Sequence, residues 1–589
     1  MLNKNKRNTA LTSEFKLGNN LITDANLIVE NFNEYFVNIG KKLAQNISAP
    51  KKSFLSYMTQ KLGNENSCAF HLTTSFEIID IVKSMKCGES AGIDEISMNL
   101  IKSVIDCIAE PLSVIINLCL TSGIYPDQLK IAKVCPIFKE GSKNEFVNYR
   151  PISIIPSFSK LFEKIISNRL LSYINKFEIF NPAQYGFRKK HSTYMAMLNL
   201  YDKVSEAVDK NEFSIGVFID LSKAFDTINH DILIRKLDMY GIRGIPNLLI
   251  KSYLNNRKQY VNYNNCTSTL KPIQCGVPQG SILGPLLFLL YINDMTYCCK
   301  YLHFLLFADD TNIFYSNPDL WQLMHIVNGE LDILSDWFKA NKLSLNIKKT
   351  NYMMFGYKKI MDSCPINNTE FCIKIDDVNI SEVEYTKFLG IFIDKKLTWQ
   401  RHVSYISSKI ARSLYVLNRL KFKLPINALT SLYFCLIYPH LIYCNILWGC
   451  AANSILNELF LLQKRAVRII CKCGYLTHSD PLFKNLGLLK VSDLYKHCCA
   501  LFAYKFQNNY LPSVCDSLLS INIRSNNDMS HNLRAVNEFT IPFARTSIRE
   551  RCITIRGAKI WSSLDEDIKN SSSISIFKEK LAKLLIDEY

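Results

Sequence analysis

Three observations predict an α+β chain. Short, strongly apolar runs such as Phe213 to Leu221 and the two flanks of Phe304 to Tyr315 have the length and aromatic or β-branched content of buried strands. Longer stretches, among them Leu27 to Leu43 and Arg401 to Leu420, repeat apolar residues at helical spacing. Beyond residue 394 the pattern is helical almost throughout, so strands belong to the middle of the chain and helices to its end. With 589 residues, of which 48% are hydrophobic and 21% charged, the composition is globular and too large for one hydrophobic core. Between two and four packed units are expected. The net charge of +18, from 70 Lys and Arg against 52 Asp and Glu, attracts polyanions. A nucleic acid or an acidic membrane surface answers to that, and so does a lysine-rich surface that only keeps a large protein soluble.

The twenty cysteines are scattered. Cys298-Cys299 and Cys498-Cys499 are adjacent pairs that do not ordinarily bridge, and Cys471-x-Cys473 has no partner at a zinc-finger interval. Reduced, buried thiols in an intracellular protein, nuclear or cytoplasmic, are expected. Met1 to Asn20 is polar, without the apolar core of a secretory signal. Pro439, His440 and Asn445 interrupt the most lipid-like run, Leu432 to Trp448, which predicts a buried helical hairpin and no membrane span.

In order, residues 1–74 read as a linker and a docking helix carrying Phe32, Phe36, Ile39 and Leu43 on one face. Residues 75–394 follow as the main unit and 395–589 as a helical region. From Ser75 to Leu118 two helical patterns flank the turn Cys87 to Asp94, and the Ser159 to Lys176 helix puts Leu161, Ile165 and Leu170 on one side, leaving Lys160, Lys164 and Arg169 for solvent or phosphate. Gly186 to Thr193 is a basic turn holding Arg188 and Lys189, with Ser192 and Thr193 suited to cap the next helix. After the strand ending at Asp220 the period becomes helical through Ala224, Ile228, Ile232, Leu237 and Tyr240. In the loop Cys275 to Pro285, Gly276 and Gly280 either permit tight backbone packing alone or let a planar substrate approach the backbone while Gln279 projects an amide. A long helix from Asn317-Pro-Asp319 to about Asn341, hairpin-like segments at Leu343 to Phe355 and Phe371 to Ile380, and the run Tyr385 to Asp394 complete the middle. At about 100° per residue, the Arg401 to Leu420 helix gathers Val403, Ile406, Ile410, Leu414 and Leu417 on one face. Arg401, Lys409, Arg412 and Arg419 fall on the other, able to follow a phosphate backbone.

Chemistry enters with the carboxylates. Asp309 and Asp310 sit between two apolar runs, where an acidic pair is costly unless a cation holds it or a surface turn exposes it. Adjacent residues of a strand point to opposite faces, so both can serve one site only at a tight hairpin tip. Asp220, at a strand end, is the third candidate. Converging carboxylates favour hard ions such as Mg²⁺, bound at about 2.0–2.1 Å. Two such ions about 3.5–4 Å apart stabilise the entering and leaving oxygens of a phosphoryl displacement.

Several motifs now stand in order: Ala91-Gly-Ile-Asp94, Asn148-Tyr-Arg-Pro-Ile-Ser153, Tyr185-Gly-Phe-Arg188, Phe218 to Asp226, Gly276-Val-Pro-Gln-Gly-Ser281, Phe307-Ala-Asp-Asp310, Leu343 to Thr350 and Phe388-Leu-Gly390. Together they resemble the reverse transcriptase of non-long-terminal-repeat retrotransposons related to jockey, over roughly Ser75 to Asp394, with core motifs in 118–394. The resemblance implies a right-hand polymerase of fingers, palm and thumb, with an antiparallel palm sheet and a helical thumb and C-terminal region. It implies an RNA template, a DNA primer, dNTPs and two Mg²⁺ ions, with Mn²⁺ able to substitute. Asp220 and Asp309 resemble the principal metal ligands, Asp310 the auxiliary one, and Lys349 the lysine that protonates pyrophosphate, with Lys348 a competitor beside it. Phe225 resembles the gate against a ribose 2′-hydroxyl, Gln279 and Gly280 the floor under the nucleotide, and Arg150 with Lys139 the cations on the triphosphate. Tyr385 to Asp394 resembles the turn that grips the primer, and the basic helix after it a thumb on an A-form-like hybrid.

Complete elements of this type carry an endonuclease before the polymerase, and no such unit, ribonuclease H or Cys/His knuckle is recognisable here. The expectation is a polymerase that needs an external endonuclease or another element-encoded partner to integrate. A catalytically idle, retroelement-derived nucleic-acid-binding protein is the main alternative, and an RNA-copying RNA polymerase is disfavoured by Phe225.

Overall fold

A computed structural model describes residues 14–18, 20–58, 64–356, 372–520 and 539–589. Helices and strands are mixed along the chain, as an α+β reading requires. Two compact units are formed, each from three separate stretches: residues 1–184, 220–300 and 330–346 in one, and 185–219, 301–329 and 347–589 in the other.

In the first unit the strand Ile131–Phe138 lies between Tyr149–Ile154, antiparallel to it, and Lys258–Tyr263, parallel to it. The helix Ala25–Gln45 starts where the Asp24 carboxylate accepts from the Asn26 N–H. Its apolar stripe then buries Phe32 against the rings of Phe15, Phe146, Tyr149 and Tyr263, with Phe36 stacked beside Phe32. Asn33, fully buried on the same helix, donates to the Thr269 carbonyl at 2.8 Å, so one polar bond fixes the helix's register on its neighbours.

Several local expectations need correction. Arg169 is buried, and its guanidinium grips both Glu77 carboxylate oxygens at 2.6 Å; it serves the fold and is not offered to phosphate. The segment after Asp220 does not enter an α-helix directly: Ala224–Asp226 is a 3-10 turn, and the helix His230–Met239 begins at Asn229, whose side chain caps Ile232 N–H. The lipid-like run is not a hairpin of two helices but three short ones, Ile426–Leu436, Tyr438–Ile442 and Asn445–Trp448, because Pro439 and the left-handed Cys444 interrupt it. Among the described residues the one helix long and apolar enough to cross a membrane is Met98–Ser122, which carries Lys102, Asp106 and Glu110 along its length. All described cysteines are free thiols, and Cys87, Cys107 and Cys435 are exposed rather than buried.

The second unit is built on a sheet whose strand order is Ser381–Glu382, Asn351–Phe355, Phe213–Ile219, Asp310–Asn317, His303–Phe307. All neighbours are antiparallel except the short edge strand Ser381–Glu382. Phe213–Ile219 is central and almost wholly buried, which accounts for its uninterrupted apolar run. Gly216 lies where a Cβ would approach the Phe355 ring at 3.0 Å. Of the hairpin expected at Leu343 to Phe355, only Asn351–Phe355 is a strand, and it pairs with Phe213–Ile219. In the second expected hairpin Phe371 lies outside the described residues, while Lys374–Ile375 and Val378–Asn379 pair across Asp376 and Asp377, both at positive φ. Helices Gln400–Leu420, Asn453–Ile470, Val491–Gln507 and Ile574–Asp587 follow, around a core that includes Trp399, Trp448 and Trp561. Ser192 stands at the start of the helix Thr193–Asp209 without making the capping bond its hydroxyl suggests.

Candidate active site

In the second unit, Phe307 lies opposite Asp310, so Ala308 and Asp309 form a two-residue turn. Ala308 takes φ +55° at the first turn position, where a tight hairpin needs a positive φ and glycine normally stands. A left-handed conformation at a residue with a Cβ costs roughly 1–2 kcal/mol, strain of the kind rigid flanks can hold. Those flanks are Phe304, Leu305 and Leu306 on one strand and Ile313 and Phe314 on the other, all buried. The two carboxylates are therefore unequal: Asp309 is half-buried at the tip, and Asp310 is exposed at the first position of its strand. Thr311 pairs with Ile219, the last residue of the central strand.

Lys348 and Lys349 are both exposed ahead of the strand Asn351–Phe355, and exposure does not choose between them. Arg188 is half-buried, and desolvation pulls its pKa below the usual guanidinium value; Lys189 beside it is exposed. On Gln400–Leu420, Val403, Ile406, Ile410, Leu414 and Leu417 are all buried, as the periodicity required. The outer face carries Arg401, Lys409, Arg412 and Arg419, and three of these cations lie over rings: Arg401 over Tyr385 at 4.7 Å, Lys409 over Tyr405 at 5.4 Å and Arg419 over Tyr415 at 5.8 Å. Two of these pairs are four residues apart on the one helix, whereas the Arg401 pair leaves no sequence pattern because Tyr385 comes from the strand Tyr385–Phe388.

In the first unit, Asp220 is half-buried and held by Asn346. The Asn346 side-chain amide donates to Asp220 Oδ2 at 2.9 Å, and its backbone N–H donates to the Asp220 carbonyl at 2.9 Å. Leu221 bridges Leu345, and the Ser222 N–H donates to the Ser344 carbonyl at 2.9 Å, so this short ladder aims the carboxylate. Asn346 is a candidate site residue that the sequence alone does not single out; it sits in the Leu343 to Thr350 block, where the lysines are the conspicuous residues.

Phe225 stacks on Phe288, ring centroids 4.6 Å apart and 26° between planes. Its carbonyl accepts from the Val277 N–H at 2.9 Å, and the Gly276 N–H donates to the Ile228 carbonyl at 2.8 Å, which fastens the turn to the Cys275 to Pro285 loop. Two expectations for that loop are corrected. Gln279 does not project a loose amide: its Nε2 donates to both oxygens of Asp226, at 2.8 and 2.9 Å. Gly276 and Gly280 serve close packing of the loop on the chain's own backbone, since a Cβ would lie 2.8 Å from Asp226 Cα in the first case and 2.5 Å from the Ser153 carbonyl oxygen in the second. Burial pushes the Asp226 carboxyl up to about 6, against the lowering effects of Gln279 and Lys223. Arg150 is exposed on Tyr149–Ile154, opposite Ile137, and Lys139 is exposed just past the partner strand, 3.8 Å from Glu140.

Among the described residues no group of three or more His, Cys, Asp or Glu side chains is gathered to hold a metal ion. A ready-made three-carboxylate cage is thus not present. The donors available are hard carboxylate oxygens, and Mg²⁺ is ordinarily held by one or two carboxylates with waters and substrate phosphates completing the shell. Asp220, oriented by Asn346, and Asp309, at the strained turn, each offer a carboxylate oxygen of that kind.

Residues 139–405 match the family described as reverse transcriptase (RNA-dependent DNA polymerase). The probable RNA-directed DNA polymerase from transposon BS of Drosophila melanogaster is 31% identical over 436 residues, which are 71% of this chain and 46% of that protein. The RNA-directed DNA polymerase from mobile element jockey of the same organism is 27% identical over 429 residues, with the same shares. The Pol polyprotein of the type-1 retrotransposable element R1 of Bradysia coprophila is 27% identical over 340 residues, 57% of this chain and 32% of that one. The chain spans about half the length of the first two. A telomerase structure from Candida tropicalis aligns with TM-score 0.31 and 13% identity over 46% of this chain and 54% of that one.

Proposed function

We propose that this chain, whose residues 139–405 form a reverse transcriptase domain of the kind found in jockey-like non-long-terminal-repeat elements, is an RNA-directed DNA polymerase. The observation that carries the reading is the Phe307-Ala-Asp-Asp310 hairpin inside the matched stretch, with Asp309 at its strained tip. The reaction joins a primer 3′-oxygen to the α-phosphorus of a dNTP, breaks the bond to the β-phosphate bridging oxygen, and releases pyrophosphate.

In this reading Asp220 and Asp309 hold divalent ions, Mg²⁺ or Mn²⁺, with Asp310 auxiliary. Bound there, such ions supply charge neutralisation on the triphosphate and a lowered pKa for the 3′-hydroxyl. The residues do the rest. Arg150 and Lys139 bind the triphosphate, Gln279 lines the nucleotide floor in the loop that Gly280 packs against Ser153, and Phe225 excludes a 2′-hydroxyl. Lys349 delivers the proton that pyrophosphate takes. The rigid stack on Phe288 supports the gate, since a ring that cannot swing away discriminates better.

The Phe213–Ile219 sheet is read as the palm, the Ile131–Phe138 sheet with its helices as the fingers, and Gln400–Leu420 with the following helices as the thumb, on which Arg401, Lys409, Arg412 and Arg419 follow the hybrid backbone while Arg188 and Lys189 contact template. The primer in a cell is taken to come from a separate endonuclease activity, and the setting is intracellular. The test is primer extension by the full chain on an RNA template with dNTPs and Mg²⁺. Wild type is expected to extend, and Asp309→Asn to lose at least about a hundredfold in rate, the scale on which a preorganised charge at a reacting centre acts. A folded wild type that binds primer-template without extending it would establish the idle nucleic-acid-binding alternative.

A further inference from the structure

The bond between Gln279 and Asp226 carries more than a loop closure. An ionised carboxylate can only accept hydrogen bonds, whereas a side-chain amide has a donating and an accepting end. With one nitrogen within 2.9 Å of both Asp226 oxygens, the Gln279 amide is locked nitrogen-inward. Rotation by 180° would set the amide oxygen against the anion. The Gln279 oxygen is therefore turned away from Asp226 for as long as Asp226 is charged. The backbone around the pair is equally constrained: the Ser153 N–H donates to the Gln279 carbonyl at 2.7 Å, and Val277 and Gly276 are bonded to the Phe225 and Ile228 carbonyls.

We propose that Asp226 is a positioning residue of the polymerase reaction: it orients the Gln279 amide as an acceptor toward the nucleotide-binding face and ties that orientation to the adjacent gate, Phe225. The proposal deepens the reading of Phe225 and Gln279 as nucleotide contacts and rests on it. Asp226 itself touches no substrate in this scheme.

The groups facing the carboxylate come from three elements. Lys223 lies on its own turn and donates to the Val147 and Tyr149 carbonyls at 3.3 and 3.2 Å. Tyr35 comes from the helix Ala25–Gln45, with Lys223 5.9 Å from its ring, and the Cys275 thiol from the loop donates to the Asp226 carbonyl at 3.5 Å. Burial pushes the carboxyl up to about 6, outweighing the Gln279 amide and the Lys223 charge, which both favour the ionised carboxylate. Below that pH it takes up a proton, becomes a donor as well as an acceptor, and no longer dictates which end of the amide faces it. Nucleotide binding should then loosen in mild acid.

The experiment is steady-state primer extension by the full chain on an RNA template, measuring kcat and KM for dNTP between pH 5.5 and 8 with thermal unfolding in parallel. Asp226→Ala is expected to raise KM for dNTP about tenfold with kcat changed far less, the scale of a lost hydrogen bond to a charged group. In a Gln279→Ala background the same substitution should add almost nothing, because the residue acts through the amide. Wild-type KM should rise as pH falls through 6, and Asp226→Asn, which has no charge to lose, should show a flat profile over that range. A KM unchanged in folded Asp226→Ala, or effects of Asp226→Ala and Gln279→Ala that simply add, overturns the proposal. If the alanine variant does not fold, a wild-type pH limb that persists in Asp226→Asn overturns it instead. Failure of wild type to extend at all removes the polymerase reading together with this one, whereas wild-type extension with the adverse mutant results removes this one alone.

Discussion

Asn346→Ala tests whether the carboxylate at Asp220 works because it is aimed. The substitution removes one side-chain donor, at 2.9 Å from Asp220 Oδ2, and leaves in place the backbone bond from residue 346 to the Asp220 carbonyl and the Leu221–Leu345 bridge. The chain path should therefore survive, and the loss should be confined to the orientation of one carboxylate. A hydrogen bond to a charged group is worth about 1.5–3 kcal/mol net, and each 1.36 kcal/mol is tenfold in rate. Because Asp220 is only half-buried, water can replace part of the bond. The lower end of that range applies, and kcat is expected to fall about tenfold. The assay is primer extension across a Mg²⁺ titration, with thermal unfolding as the fold control. A carboxylate free to rotate should also need more Mg²⁺ for half-maximal rate, an effect a purely structural asparagine would not produce. Asn346→Asp should shift the Mg²⁺ requirement in the other direction, since it adds a like charge that a bound cation relieves. Unchanged kcat and unchanged Mg²⁺ dependence in folded Asn346→Ala would refute the claim that this bond serves the site.

Two further outcomes follow from the same geometry. Replacing Arg401 and Arg412 by alanine, on the exposed face of Gln400–Leu420, should weaken RNA–DNA hybrid binding and lower the slope of log affinity against log salt by about 0.7–0.9 per lost phosphate contact, read by binding titrations at several salt concentrations; an unchanged slope would remove these cations from the interface. Lys236→Met leaves Asp294, fully buried and otherwise bonded to the Trp337 indole N–H at 3.0 Å, without its cation, and should cost about 3–5 kcal/mol of stability in denaturant unfolding. Lys236→Met with Asp294→Leu should recover much of that, because the unpaired buried charge is then gone.

Motif order and the carboxylates were legible because the candidate catalytic residues stand next to strong local signals. Asp309 and Asp310 interrupt two apolar runs, and the structure turns that interruption into a two-residue hairpin tip. The two faces of Gln400–Leu420 were equally legible, since a single helix of period 3.6 carries the whole pattern. What failed was whatever depends on a partner distant in sequence. Arg169 read as an exposed cation, and Glu77, 92 positions away, makes it a buried one. Gly276 and Gly280 read as room for a substrate, and the backbone at Asp226 and Ser153 fills that room.

By itself the sequence determined the α+β class, the helical character beyond residue 394, the position of the acidic hairpin and, through its ordered motifs, the resemblance to jockey-like reverse transcriptases. These rest on periodicity and on neighbours within a few residues, which a linear string preserves. Only the tertiary structure decided that Asn346 holds Asp220, that Gln279 is spoken for by Asp226, and that Tyr385 lies under Arg401. In each case the direction of a polar or cationic side chain is set by a group 16 to 126 residues away, and hydrogen bonds of that span leave no periodic trace in the chain.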